Sequence, residues 1–170
     1  MNSHRRSGSH MPSVRWPQGY EPSGAALHAV NSGRTAAASE VVWAWLVRPE
    51  LWSSFYVNAR RVRHQSGPWP QVALGSRFTW ITFGAVATTE IVEYEPFERL
   101  AWTATGLGAR AHHAWVLTPR ADGGTDILTE ETQRGRAPAL LRRALAPAMH
   151  YMHQRWINGL ASSAEGRQPP

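Results

Sequence analysis

A histidine and a glutamate set the chemistry open to this chain. His113 lies in an alternating run over residues 109–119 and Glu131 in a second over 125–134, joined by Ala121-Asp122-Gly123. A three-residue loop with its glycine in the left-handed conformation turns such a hairpin. It pairs Arg120 with Gly124, and so sets Val116 opposite Leu128, Trp115 opposite Thr129 and His113 opposite Glu131. A four-residue loop sets Glu130 opposite His113 instead. A carboxylate against an imidazole fixes its tautomer and raises its basicity, which is what a general base requires. On the solvent face the same two residues would be an ordinary cross-strand pair. Tyr56 and Arg77 are the candidates for polarising a carbonyl or stabilising an enolate, with Glu90 a further polar anchor.

The remaining chemistry-bearing patterns exclude more than they offer. His112 and His113 are adjacent on a strand and point to opposite faces, so they cannot share one ion. His150 and His153 stand at i, i+3, but only His153 borders the apolar side of its helix. A zinc site needs three or four converging ligands, and no metal or other cofactor is expected. His153 is kept as an acid/base group or polar anchor at a cavity rim. Glu130-Glu131 straddles two faces and is no acid/base dyad. No nucleophile motif or phosphate loop stands out.

The elements that must hold these residues follow from periodicity. A first strand is predicted over 26–35, then a helix N-capped by Ser39, with Val42, Trp43, Leu46 and Val47 at helical spacing. Pro49 ends it, and residues 50–56 give a second short helix. Strands follow over 60–65, 75–83, 85–95, 99–106, 109–119 and 125–134, separated by Gly and Pro punctuation. Connections this short make neighbours antiparallel. A final helix over 138–163 carries Leu141, Leu145, Met149, Met152, Trp156 and Leu160 in one stripe, with a kink or break expected near Leu145–Pro147. Seven strands and one long apolar-faced helix make an α+β fold, the curved sheet wrapped around the C-terminal helix.

Nine Trp in 170 residues either line a cavity for a planar ligand or fill a sheet–helix core, as Trp43 and Trp156 would. Strand parity turns Phe78, Trp80, Leu100, Trp102, His113 and Trp115 inward; a slip of one residue would reverse each set. With Met149, Met152, His153 and Trp156 from the helix, these are the predicted ligand contacts.

Composition bounds the partners. All 18 basic side chains are Arg, and the net charge is +6. Residues 1–20 hold three Arg and no acid, which leaves 15 Arg against 12 acids in the other 150 residues. Nucleic-acid binders gather their charge on one stripe or helix; here it is dispersed, and nucleic acid is not expected. No run approaches the ~20 apolar residues of a membrane span, and the N-terminus lacks the apolar stretch of a signal peptide, so a cytoplasmic protein is expected. With no Cys, disulfides and thiolate chemistry are excluded. Residues 1–23 read as an arm without fixed structure, in which Gly8-Ser9-His10-Met11 resembles a cloning scar; 24–164 form the domain, and 165–170 a flexible tail. A homodimer is compatible with the chain.

The segments GSRFTWITFG, TTEIVEYEPFERLAW, HHAWVLTP and GTDILTEETQRG, in this order within a helix–strand–helix frame, resemble the START-like (SRPBCC, helix-grip) superfamily over residues 26–164, and more narrowly its polyketide cyclase/dehydrase and lipid-transport branch. The resemblance implies a sheet gripping the last helix around a deep apolar cavity. It points to an apolar, ring-containing small molecule as ligand, and to cyclisation, dehydration or isomerisation of a polyketide-like intermediate without metal or cofactor. His113, oriented by Glu131, would move the proton. The alternatives are a carrier or sequestering protein that binds without turnover, and an interaction module with an open groove. Fold alone does not choose between them.

Overall fold

A computed structural model describes residues 13–166 and 168–169. Its elements are β1 (Leu27–Thr35), α1 (Ser39–Leu46), a 3-10 turn (Pro49–Ser54), β2 (Arg60–Ser66), β3 (Arg77–Thr82), β4 (Ala85–Glu95), β5 (Arg99–Gly106), β6 (Ala109–Pro119), β7 (Thr125–Gly135), α2 (Arg136–Leu140) and α3 (Arg142–Gly166). All strands form one antiparallel sheet in the order β1-β7-β6-β5-β4-β3-β2. Strands β2 to β7 are thus a meander, and β1 closes it beside the last strand. The long helix α3 lies on the concave face and packs most extensively on β1. This is the helix-grip arrangement.

Local chemistry explains most boundaries. The β6–β7 hairpin turns at Ala121–Gly123 with Gly123 at φ +85°, where glycine carries no steric penalty. The register it imposes pairs His113 with Glu131 and Trp115 with Thr129, the three-residue alternative. Ser39 does not cap α1: Ala38 holds the extended cap position and Ser39 is already helical and buried. The C-terminal helical region breaks at Leu141, between α2 and α3, and not at Pro147. Pro147 sits on the exposed side of α3, and the carbonyl deprived of its donor is that of exposed Arg143, which water can serve. Further along, the helix presses hard on its neighbours. A Cβ on Gly159 would lie 2.2 Å from the Phe55 carbonyl oxygen, and one on Gly33 2.4 Å from Ile157 Cγ2.

Both faces of the sheet are covered, which is why β6 is buried continuously from Ala111 to Leu117. The concave face carries Phe78, Trp80, Leu100, Trp102, Trp115 and Ile127 and meets Trp52, Trp156, Ile157 and Leu160. The convex face carries Ala101, Ala114 and Val116, under Val14 and Trp16. Residues 13–23 are therefore not the structureless arm the sequence suggests. Val14 is buried, Trp16 packs edge-on against His112, and Tyr20 lies beside the same ring. Apolar side chains every few residues suffice here because the convex face below already presents Ala101, Ala114 and Val116. The first part of that expected arm, residues 1–12, lies outside the described residues. At the far margin, β2 is exposed along nearly its whole length, shifts register twice against β3, and holds Arg61 at φ +51°.

Candidate functional site

Three elements converge where β6 and β7 pass under α3. The β6–β7 register brings His113 and Glu131 side by side on the concave face, with Nδ1 of His113 2.9 Å from Oε2 of Glu131. Helix α3 lowers His153 onto the same carboxylate oxygen, its Nε2 at 3.2 Å. The two imidazoles stack at 4.7 Å between centroids. Each of the three side chains is buried. Alternation along β7 adds Thr129 and Gln133 to the group. Gln133 Nε2 donates to Oε1 of Glu131 at 2.6 Å. Thr129 Oγ1 lies 2.8 Å from Nε2 of His113 and donates to the Ala114 carbonyl at 2.9 Å. Both nitrogens of His113 are thus engaged by protein, whereas Nδ1 of His153 is buried with no partner among the described residues.

The surroundings fix the charge states. Burial drives the His113 imidazole below its ordinary value, against the opposing pull of Glu131. Burial alone would raise Glu131, but the adjoining imidazoles of His113 and His153 outweigh it and hold the carboxyl well below its usual range. Tyr56 stacks flat on Trp156 at 4.2 Å. Its oxygen accepts from Asn58 Nδ2 at 2.9 Å and also meets the Thr82 hydroxyl. Burial lifts the phenol above its ordinary value, so it stays protonated.

The group lies on the wall of a cavity of about 160 Å³, lined by Tyr56, Trp80, Trp102, Trp156, Met149 and the aliphatic residues of β4 to β6 and α2. Its outermost side chains, Val86, Leu107 and Leu141, are each more than half exposed. A buried apolar space of this size accommodates about one benzene ring, short of the ~300 Å³ at which drug-sized pockets begin. The interior is thus more filled than the expected deep hollow. The indoles of Trp52, Trp80, Trp102, Trp115 and Trp156 take up the space by packing on one another.

Of the residues singled out from sequence, His113, Glu131, Tyr56, Trp80, Trp102, Met149, His153 and Trp156 line this cavity. Phe78, Leu100 and Trp115 are buried on the same face but in solid core, and Met152 packs at its edge. Arg77 is not at the site. Alternation with the inward Phe78 turns it outward, where its guanidinium bonds Glu90 at 2.7 Å. His112 and His150 stay apart from the cluster, as strand and helix geometry requires. The three converging donors come instead from three different elements, β6, β7 and α3, and they are the described residues that could hold a metal ion, their ligand atoms all within 4.8 Å of one another. Thr129 and Gln133 were not singled out, although extending the two-residue alternation from Glu131 reaches both. The meeting of His153 with Glu131 depends on how α3 is rotated over the sheet, which a stripe of bulky residues defines only loosely.

With this geometry in hand, the family is decided by the profile match: the family described as polyketide cyclase / dehydrase and lipid transport aligns with residues 28–165. The chain belongs to that family. Its fold recurs in solved structures. A hypothetical protein, jhp0584, from Helicobacter pylori superposes with a TM-score of 0.86 at 24% identity, covering 93% of this chain and 99% of that one. The Zhui aromatase/cyclase from Streptomyces sp. R1128 does so at 0.69 and 16% identity, covering 82% and 94%. A START superfamily protein from Mycobacterium smegmatis follows at 0.61 and 12% identity, covering 82% and 95%. At such identities the likeness is one of fold. No curated protein is similar enough to count as a match. No helix among the described residues is long and apolar enough to cross a membrane.

Proposed function

We propose that this member of the polyketide cyclase/dehydrase and lipid-transport family receives a single ring, or the ring end of a larger apolar molecule, and acts on it by cyclisation, dehydration or isomerisation. The observation that carries this reading is the placement of one buried ionisable group, His113–Glu131–His153, on the wall of an otherwise apolar cavity. Such a group is costly to bury and contributes nothing to packing that Leu or Phe would not. Tyr56 supplies the opposite pole. Its O–H would turn to a ligand carbonyl and stabilise the enolate that forms, while the His113–Glu131–His153 group takes up the proton lost from the adjacent carbon. Both poles face the same cavity, so the ring is held between them.

Cyclohexanone fits the cavity's size and reports the essential step. Its α-hydrogens exchange in D₂O when an enolate forms, and NMR follows the exchange. The protein should accelerate it, and Tyr56→Phe or Glu131→Gln should each slow it by about 10²-fold or more while the ketone still binds. Binding with no acceleration would favour the second reading, a carrier or sequestering protein, which the lipid-transport side of the family supports.

A further inference from the structure

With a single ring proton, the hydrogen bonds around His113 do not balance. A neutral imidazole has one N–H and one lone pair. The Thr129 hydroxyl spends its proton on the Ala114 carbonyl, so it can only accept from Nε2 of His113. The ring proton therefore belongs on Nε2, and the lone pair of Nδ1 faces a carboxylate oxygen at 2.9 Å. At that distance the two atoms are held together by a positive centre, either a second ring proton or a metal ion. His153 adds a third donor to the same oxygen at 3.2 Å, and Gln133 occupies the other carboxylate oxygen, leaving Oε2 to face both rings.

We propose that His113 Nδ1, His153 Nε2 and Glu131 Oε2 bind one divalent transition-metal ion, where the sequence alone pointed to a metal-free site. Bonds of about 2.1 Å at ordinary coordination angles hold their donors roughly 3.0–3.4 Å apart, and the two separations from Oε2 fall within about 0.2 Å of that range. The outer hydrogen bonds are those of a metal site. Nε2–H of His113 donates onward through Thr129 to a backbone carbonyl, and Gln133 orients the carboxylate. Two nitrogens and one oxygen suit Zn²⁺, Fe²⁺ or Co²⁺ and not the oxygen-seeking Mg²⁺ or Ca²⁺. Three protein ligands leave coordination positions open toward the cavity, the pattern of reactive sites and not of purely structural ones. The inference goes beyond the proposed function, because a carrier could hold the ion as readily as an enzyme.

The test is titration of the metal-free full chain with Co²⁺, read by its visible d–d absorbance, and with Zn²⁺ in competition. One Co²⁺ per chain with bands of a four- or five-coordinate site, displaced by Zn²⁺, is the expected result. His153→Gln and Glu131→Gln should abolish the bands, and Thr129→Val, which touches no ion, should weaken affinity about 10–100-fold. Because a variant could fold poorly, the unmodified chain is titrated first and decides the matter if it stays colourless. Absence of the bands at equimolar Co²⁺ overturns the proposal. Bands that persist in His153→Gln and Glu131→Gln overturn it too, since they would report exposed histidines such as His64 and His150. A chain that binds Co²⁺ but leaves cyclohexanone exchange at the buffer rate refutes the enolising function and not the metal site.

Discussion

His112 and His113 are consecutive, equally buried and of one residue type, yet they occupy opposite chemical situations. His113, on the concave face, has a partner for each ring nitrogen and belongs to a network of five side chains. His112, on the convex face, has none for either among the described residues and is enclosed by Trp16 and Tyr20. Burial drives it too to about 4. Burial on its own therefore says little about function; what distinguishes the two is whether polar groups were assembled around the ring. One histidine is embedded in chemistry, the other in packing.

The largest expected effect separates them directly. His113→Phe leaves Thr129 without its ring partner and Glu131 with one imidazole instead of two, and should cost about 3 kcal/mol in urea denaturation. His112→Phe deletes two polar atoms that have no partner and should be neutral or stabilising by up to about 1 kcal/mol. Equal losses would dissolve the distinction. pH sharpens it next. His112 titrates near 6.5 when unfolded and near 4 when folded, so below 6.5 the unfolded chain binds more protons. Stability should fall as the pH drops from about 6.5 to 4, by something like 1–3 kcal/mol from this group, and His112→Phe should remove that part of the slope. A slope unchanged in the variant would assign the acid sensitivity elsewhere.

How much of this contrast the sequence revealed depends on the range of the contact. The strand boundaries, the Gly123 turn and the pairing of His113 with Glu131 follow from alternation and loop length, which are local. The rotation of α3 that brings in His153 is a property of tertiary packing, as is the stacking of Trp52, Trp80, Trp102 and Trp156 that shrinks the cavity. The cover of His112 was illegible for a different reason: Val14, Trp16 and Tyr20 are interleaved with Pro, Gly and Arg and show no period, and their docking surface exists only after the sheet forms.

Smaller effects test the convex side and the rejected candidate. Trp16→Ala should cost about 1–2 kcal/mol, less than a core Trp because the ring is half-buried, and should speed hydrogen exchange of the amides near residue 14 without altering ligand binding. Arg77→Ala breaks only an exposed pair with Glu90 and should shift stability by no more than about 0.5 kcal/mol, with ketone exchange untouched. A loss of exchange there would bring Arg77 back into the site.

The irregular margin formed by β2 has a further consequence. An open seven-stranded sheet leaves hydrogen-bonding groups free along its outer rim, a template on which a foreign chain could stack and seed fibrils. Arg60, Arg61 and Arg63 stand on that rim, and the two register shifts twist it out of plane. Crowded like charges and a warped ladder make it a poor template, so this margin guards the molecule against runaway self-assembly.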